Sequence, residues 1–165
     1  MADSMLKERL QPSLLDRLTD DAPEKKTEPA SNWIIDVSRL RDIIQRDLGW
    51  LLNTSNMEAE HDLELYPNVA RSVLNYGISD ISGSTATTGR ANEIRQAIRA
   101  AIEAFEPRLL TETLVVDMRQ EAVGSGAIIS FEIRAELWAD PVPVDLYLRT
   151  ALDVTTGEVK LNRQG

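Results

Sequence analysis

Hydrophobic residues recur at intervals of three or four in two long stretches of the N-terminal half of the chain. The first stretch contains Val37, Leu40, Ile44, Leu48 and Leu51. The second contains Ile94, Ile98, Ile102 and Phe105. This spacing places the apolar side chains on one face of a helix, so the sequence predicts two amphipathic helices. The polar segment LLNTSN ends the first helix, and Pro107 ends the second because the residue before a proline disfavours helical geometry.

A shorter helix is predicted between these two, in the segment YPNVARSVLNYG. Pro67 suits a first helical turn, and Gly77 can end the helix in the left-handed conformation. Val69, Val73 and Tyr76 would then share one side of this helix. The Ser-, Thr- and Gly-rich residues 79–89 predict a loop that leads to the last helix.

From Thr113 onwards the pattern changes to a period of two, which is typical of strands with one buried face. The apolar positions of the three runs are Leu114, Val116 and Met118; Ile129, Phe131, Ile133, Ala135 and Leu137; and Val144, Leu146, Leu148, Thr150, Leu152 and Val154. Turn-forming segments AVGSG and ADPVP separate the runs, and TTGE leads to a short return, VKL. The sequence therefore predicts an α+β fold, with the N-terminal helices packed on one face of a C-terminal antiparallel β-meander of three to four strands.

The first 31 residues differ in composition from the rest of the chain. Residues 13–18, SLLDRL, can form one helical turn with an apolar face, whereas residues 19–31 are polar, charged and interrupted by two prolines. We therefore predict a flexible leader at 1–31 and a single domain at 32–165. The helical turn could dock on this domain or on another protein, and the sequence favours neither alternative.

Composition narrows the chemistry that the chain can carry. A formal net charge of −9 without any block of Lys and Arg disfavours nucleic acid as a partner. The chain has no cysteine, and its single histidine, His61, lies in the acidic segment EAEHDLE, which predicts a solvated loop more than a metal site. We expect no metal or cofactor. The apolar runs are too short for a membrane span and the N-terminus lacks a signal-peptide pattern, so we expect a cytoplasmic protein.

Three features are candidates for binding a partner protein. Trp138 falls on the polar face of its strand, where it could be an interface anchor or pack against a loop at the strand end. The outer strands of the meander offer edges that could accept another strand. In FEPRL, Glu106 is predicted to cap the helix and Arg108 to lie on extended chain, with the stiff Pro107 between them. From these residues alone, a local cap or surface ion pair is favoured over a binding site.

Three segments, in this order, resemble the TssE family of baseplate proteins from bacterial type VI secretion systems. They are RDIIQRDLGWLLNT at 41–54, YPNVARSVLNYGISDISG at 66–83 and FEPRL at 105–109. The leader segment SLLDRLTDDAP is similar to the LL-x-RL and acidic-Pro stretch at the start of that family, whereas Ser55 stands where arginine is usual. The family is related to a wedge subunit of contractile phage tails that is often labelled lysozyme-like.

The resemblance implies a structural baseplate component and not an enzyme. It implies that Glu106, Pro107 and Arg108 clamp the helical bundle of the wedge proteins TssF and TssG. It also implies that the sheet receives a strand from the first sheath ring, built from TssB and TssC. TssK would belong to the same baseplate, docked in the cytoplasm at the inner face of the inner membrane.

Two other functions are compatible with parts of the sequence. A peptidoglycan-cleaving glycosidase is suggested by the lysozyme-like label, but the sequence contains no distinctive pair of catalytic carboxyl groups. A cytoplasmic regulatory module that binds a client through SLLDRL is a third alternative.

Overall fold

The computed structural model describes residues 13–19, 23–24, 26, 35–83, 87–119, 128–138 and 143–163. The helices are α1 (Leu14–Leu18), α2 (Val37–Leu52), α3 (Pro67–Ala70) and α4 (Thr88–Phe105). The strands are β1 (Val115–Arg119), β2 (Ile128–Leu137), β3 (Val144–Asp153) and β4 (Val159–Arg163). The predicted turn residues 122–126 and 139–142, and most of the predicted tether at 19–31, lie outside the described residues.

The four strands form one antiparallel sheet in the order β1-β2-β3-β4. This confirms the predicted α+β fold and the meander. Alternate residues of β2 and β3 are buried, and the helices α2 and α4 cover that face of the sheet. Helix α2 begins where Asp36 accepts the N–H of Arg39 at 2.8 Å, and α4 begins where Thr87 accepts the N–H of Arg90 at 3.2 Å.

The core lies between the two long helices and the sheet. Ile44 and Leu48 of α2, Ile98 of α4, and Phe131 and Ile133 of β2 are fully buried in one continuous cluster. The helical and alternating patterns of the sequence therefore meet in a single core. Within the described part of the chain, no helix is both long and apolar enough to cross a membrane.

The predicted helix from Pro67 to Gly77 is wrong in its second half. Helix α3 ends at Ala70, and a separate 3-10 turn spans Val73–Asn75, with Val73 81% exposed. The buried Asn75 explains the break, because its amide donates to the carbonyl of Ala70 at 3.0 Å and accepts the N–H of Met57 at 3.0 Å. These side-chain bonds compete with continued helix formation.

Candidate functional site

The FEPRL segment forms a tight corner between α4 and the edge of the sheet. Glu106 caps α4 as predicted, and its N–H donates to the carbonyl of Ile102 at 2.9 Å. Pro107 then occupies the second position of a turn in which the N–H of Leu109 donates to the carbonyl of Glu106 at 3.2 Å. Strand-like pairing begins only at Leu109, so the prediction that Arg108 lies on extended chain is wrong by one residue. Proline favours that turn position, which places Arg108 inside the turn.

Glu106 and Arg108 form a side-on ion pair across this turn. Arg108 donates from Nε to Oε1 of Glu106 at 2.7 Å and from Nη2 to Oε2 at 2.5 Å. The backbone N–H of Arg108 also donates to Oε1, at 3.1 Å. The side chain of Glu106 is 5% exposed and that of Arg108 is 31% exposed. The carboxylate of Glu106 therefore forms its hydrogen bonds within the protein. It orients the guanidinium of Arg108, which is partly exposed to solvent.

Asp47 of α2 completes the support of Arg108. Its Oδ2 accepts from Nη2 of Arg108 at 2.6 Å, while its Oδ1 accepts from Nε and Nη2 of Arg46 at 2.9 and 2.7 Å. Our reading of the sequence missed Asp47. A signal was present, because Asp47 follows Ile44 by three positions and precedes Leu51 by four, within the apolar stripe. A carboxylate in that position needs a charged partner.

The guanidinium of Arg108 stays positively charged at neutral pH, well below its pKa. Burial lowers the pKa of its guanidinium, but the bonds with Glu106 and Asp47 raise it above the ordinary value. No described residue accepts a hydrogen bond from its Nη1. Next to the corner, Tyr76 packs edge-on against Phe105, and burial together with the charge of Asp47 raises the pKa of its hydroxyl. Among the described residues, the site is thus a fixed cation whose Nη1 carries two N–H groups without an acceptor.

Trp138 lies beside this corner. Its backbone N–H donates to the carbonyl of Arg108 at 2.8 Å, and its side chain is 68% exposed. The structure therefore brings together two of the features selected from the sequence, the Glu106–Arg108 pair and Trp138. Whether the indole anchors a partner stays a prediction.

The leader helix α1 is tied to the same group of charges. Ser13 and Asp16 cap α1 reciprocally, and Oδ1 of Asp16 lies 2.8 Å from Nη2 of Arg46. Arg46 also covers the ring of Trp50, with its guanidinium carbon 4.7 Å from the ring centre. Helix α1 thus docks on α2 of its own domain through a buried carboxylate. The leucines of α1 are exposed.

We expect Asp16→Asn to release α1 from α2. Burial raises the pKa of Asp16, but bonds from Ser13 and Arg46 lower it more, so the pKa lies below 3.8 when α1 is docked. The carboxylate therefore stabilises docking above pH 3.8, and this contribution is lost as the pH falls through the lowered pKa. Amide hydrogen exchange at Arg17, corrected for pH, should be about fivefold faster in the variant at neutral pH, as expected for a loss of ~1 kcal/mol.

The matched control for this prediction is Glu93→Gln. That change removes an exposed ion pair with Arg90 elsewhere on the surface, and it should leave exchange at Arg17 unchanged. Equal exchange in Asp16→Asn and the wild-type protein would show that α1 docks without this ion pair.

Comparison with known proteins gives one informative match. Residues 38–142 of the 165-residue chain match the protein family described as Baseplate wedge protein gp25. The matched region runs from the start of α2 to the end of β2 and beyond, and it includes Asp47, the corner and Trp138. No curated protein and no solved structure gives a significant match.

Proposed function

The chain belongs to the baseplate wedge protein gp25 family, whose homologue in type VI secretion is TssE, and from this premise we propose that it is a structural subunit of a type VI secretion baseplate. In this role it joins the TssF–TssG wedge complex to the contractile sheath and helps to initiate sheath assembly. TssK would be part of the same baseplate, at the cytoplasmic face of the inner membrane.

The fixed guanidinium of Arg108 is the observation that carries this proposal. Glu106 and Asp47 hold the side chain in one orientation, so little side-chain entropy remains to be lost when a partner binds. The two N–H donors of Nη1 suit a carboxylate or the carbonyls at the end of a partner helix. We assign direct contact to Arg108 and to the exposed Pro107, and orientation of the cation to the buried Glu106.

The sheet supplies the second half of the proposed role. It is a four-stranded meander whose two outer strands, β1 and β4, are sheet edges. An edge strand can pair with an extended segment of another protein, which gives affinity through backbone hydrogen bonds. A sheath subunit that donates such a segment would be fixed to the wedge through this chain.

A glycosidase is less compatible with the corner. Both carboxylate oxygens of Glu106 are bonded to Arg108, and the residue is buried. A glycosidase needs two carboxyl groups on either side of the scissile bond. The geometry of FEPRL therefore favours a contact with another protein over hydrolysis.

The proposal is tested by co-expressing the chain with TssF and TssG of the same organism. We expect the chain to elute together with TssF and TssG as a stable three-protein complex on size exclusion. It should elute separately when TssF and TssG are omitted. A chain that stays monomeric beside an assembled TssF–TssG complex would contradict the proposal, and so would carboxylate-dependent lysis of peptidoglycan by the purified chain.

A further inference from the structure

The leader helix α1 turns its apolar side chains away from its own domain. The side chain of Asp16 is 5% exposed where it meets α2, whereas Leu14 and Leu18 are 73% and 74% exposed. Leu14 and Leu18 are four residues apart, and each is two residues from Asp16, so they share the face of the helix opposite α2. Polar residues therefore hold α1 in place while its leucines face outward.

A helix of this length gains little stability from its own backbone. Ordering its residues costs conformational entropy, and short helices rarely persist in water without tertiary packing. The capping box of Ser13 and Asp16 and the ion pair with Arg46 offset part of this cost. Burial of the exposed leucines by another molecule would add the apolar contribution that the domain itself does not supply.

A short series of charged side chains places α1 beside the Arg108 corner. Nη2 of Arg46 lies 2.8 Å from Oδ1 of Asp16 and 2.7 Å from Oδ1 of Asp47. The other oxygen of Asp47, Oδ2, lies 2.6 Å from Nη2 of Arg108. The side chains of Asp47 and Arg46 thus bridge directly from the guanidinium of Arg108 to the carboxylate of α1.

Trp50 adds exposed apolar area at the same place. Its side chain is 51% exposed, and the guanidinium carbon of Arg46 lies 4.7 Å from its ring centre. Aromatic residues and arginine are enriched in protein interfaces. We call the exposed side chains grouped around Arg46 the leader–corner surface, which consists of Leu14, Leu18, Trp50 and Arg108.

The size of a protein interface indicates that one partner covers this whole surface. A specific contact buries about 800 Å² on each partner, so a patch centred on Arg108 has a radius of about 16 Å. Helix α1 lies within that radius, because only the contacts through Asp47 and Arg46 separate Asp16 from Arg108. A partner that engages the cation therefore reaches the leucines as well.

We propose that the leader–corner surface is one binding surface, and that the partner which binds Arg108 also buries Leu14 and Leu18. This inference rests on the proposed binding of TssF–TssG. It goes further because it assigns α1 to the same contact instead of to a separate client protein. The partner surface that fits has apolar side chains next to a carboxylate or carbonyl acceptor, and it belongs to the TssF–TssG bundle.

The double variant Leu14→Ala with Leu18→Ala tests this inference. Alanine has the highest helix propensity, so the variant keeps α1 and its ion pair while it loses the apolar side chains. We expect binding of TssF–TssG to weaken at least about thirtyfold, as for two leucines that become buried in an interface. Isothermal titration of the purified full-length variant against the TssF–TssG complex measures the change.

Ile128→Ala is the matched control for the loss of an exposed apolar side chain. Ile128 is 56% exposed at the start of β2, whereas Leu137 at the end of β2 pairs with Leu109 of the corner. The ten-residue strand places Ile128 about 30 Å from the corner. This variant should bind TssF–TssG within twofold of the wild-type chain.

A second measurement needs no variant. The N–H groups of Arg17 and Thr19 donate to the carbonyls of Ser13 and Leu15 within α1, and they exchange whenever this short helix opens. When the wild-type chain binds TssF–TssG, exchange at both amides should slow at least about tenfold, while exchange at Ile128 stays the same.

The outcomes separate this inference from the proposed function. Wild-type affinity in the leucine variant together with weak binding of Arg108→Ala would overturn the inference and leave the proposed function standing. A complex with TssF–TssG in which the amides of α1 are not protected would do the same. A wild-type chain that forms dimers lost in the leucine variant would mean that a second copy covers the leucines, which also overturns it. A wild-type chain that never binds TssF–TssG would contradict the proposed function itself.

Discussion

Replacing Arg108 by alanine is expected to weaken binding of the TssF–TssG complex about 30-fold or more, which corresponds to at least ~2 kcal/mol. In the free protein the guanidinium is already oriented by Glu106 and Asp47, so little side-chain entropy is lost when the wild-type protein binds. Truncation removes the cation and leaves the partner acceptors without a donor. Isothermal titration or surface-based binding of the purified variant measures the change.

Arg108→Ala also acts on the stability of the chain itself. It leaves the buried carboxylate of Glu106 beside Asp47 without its cation, so the free energy of unfolding should fall by about 2 kcal/mol. A weaker pull-down with this variant alone therefore does not separate binding from folding. The charge-neutral double variant Glu106→Gln with Arg108→Gln removes the stranded charge, and we expect it to regain most of the stability but not the affinity.

Arg108→Lys gives the complementary control. Lysine keeps the positive charge but cannot make the side-on pair with Glu106 while presenting two further donors. We expect binding about tenfold weaker than wild type, since only part of the hydrogen bonding is lost. If Arg108→Lys or the charge-neutral double variant binds TssF–TssG as tightly as the wild-type chain, the corner is a structural feature of the fold. The proposed contact of Arg108 with TssF–TssG is then wrong.

Features with a short period in sequence were predicted well. The strands follow from alternation, and α2 and α4 follow from spacing of three and four, because burial on one face repeats along each element. Glu106 was identified as a cap because proline acts on its immediate neighbour. These rules use only adjacent residues, so a single sequence contains the information.

Features that depend on distant partners were not predicted. Arg108 and Asp47 are 61 positions apart, and Asn53 bonds the backbone of Val159 in β4 from 106 positions away. Asn75 ends α3 through bonds to residues that precede it in sequence, including Met57 18 positions earlier. Polar side chains form such contacts only when the fold brings them together, and apolar periodicity contains no information about them. The end of α3 at Ala70 and the support of Arg108 were missed for this reason.

Gly77→Ala, in the segment between α3 and α4, is expected to cause the largest change in stability that we predict. Gly77 has φ +121°, which side chains rarely adopt, and a Cβ there would overlap the backbone carbonyl of Thr54. That carbonyl accepts the N–H of Ile78 at 2.9 Å. Thr54 therefore cannot move away from the added Cβ without breaking this hydrogen bond. We expect the free energy of unfolding to fall by at least about 3 kcal/mol and the melting temperature by about 10 °C.

Gly83→Ala is the matched control for this prediction. Gly83 also has positive φ, at +70°, but a Cβ there meets no atom of the described residues within 4 Å. Its cost should therefore be only the conformational one, about 1 kcal/mol. Urea unfolding of both variants compares a methyl group added at positive φ with and without an overlapping backbone atom. Equal losses in the two variants would mean that Thr54 yields to the added methyl group, and that the hydrogen bond at Ile78 does not hold this segment in place.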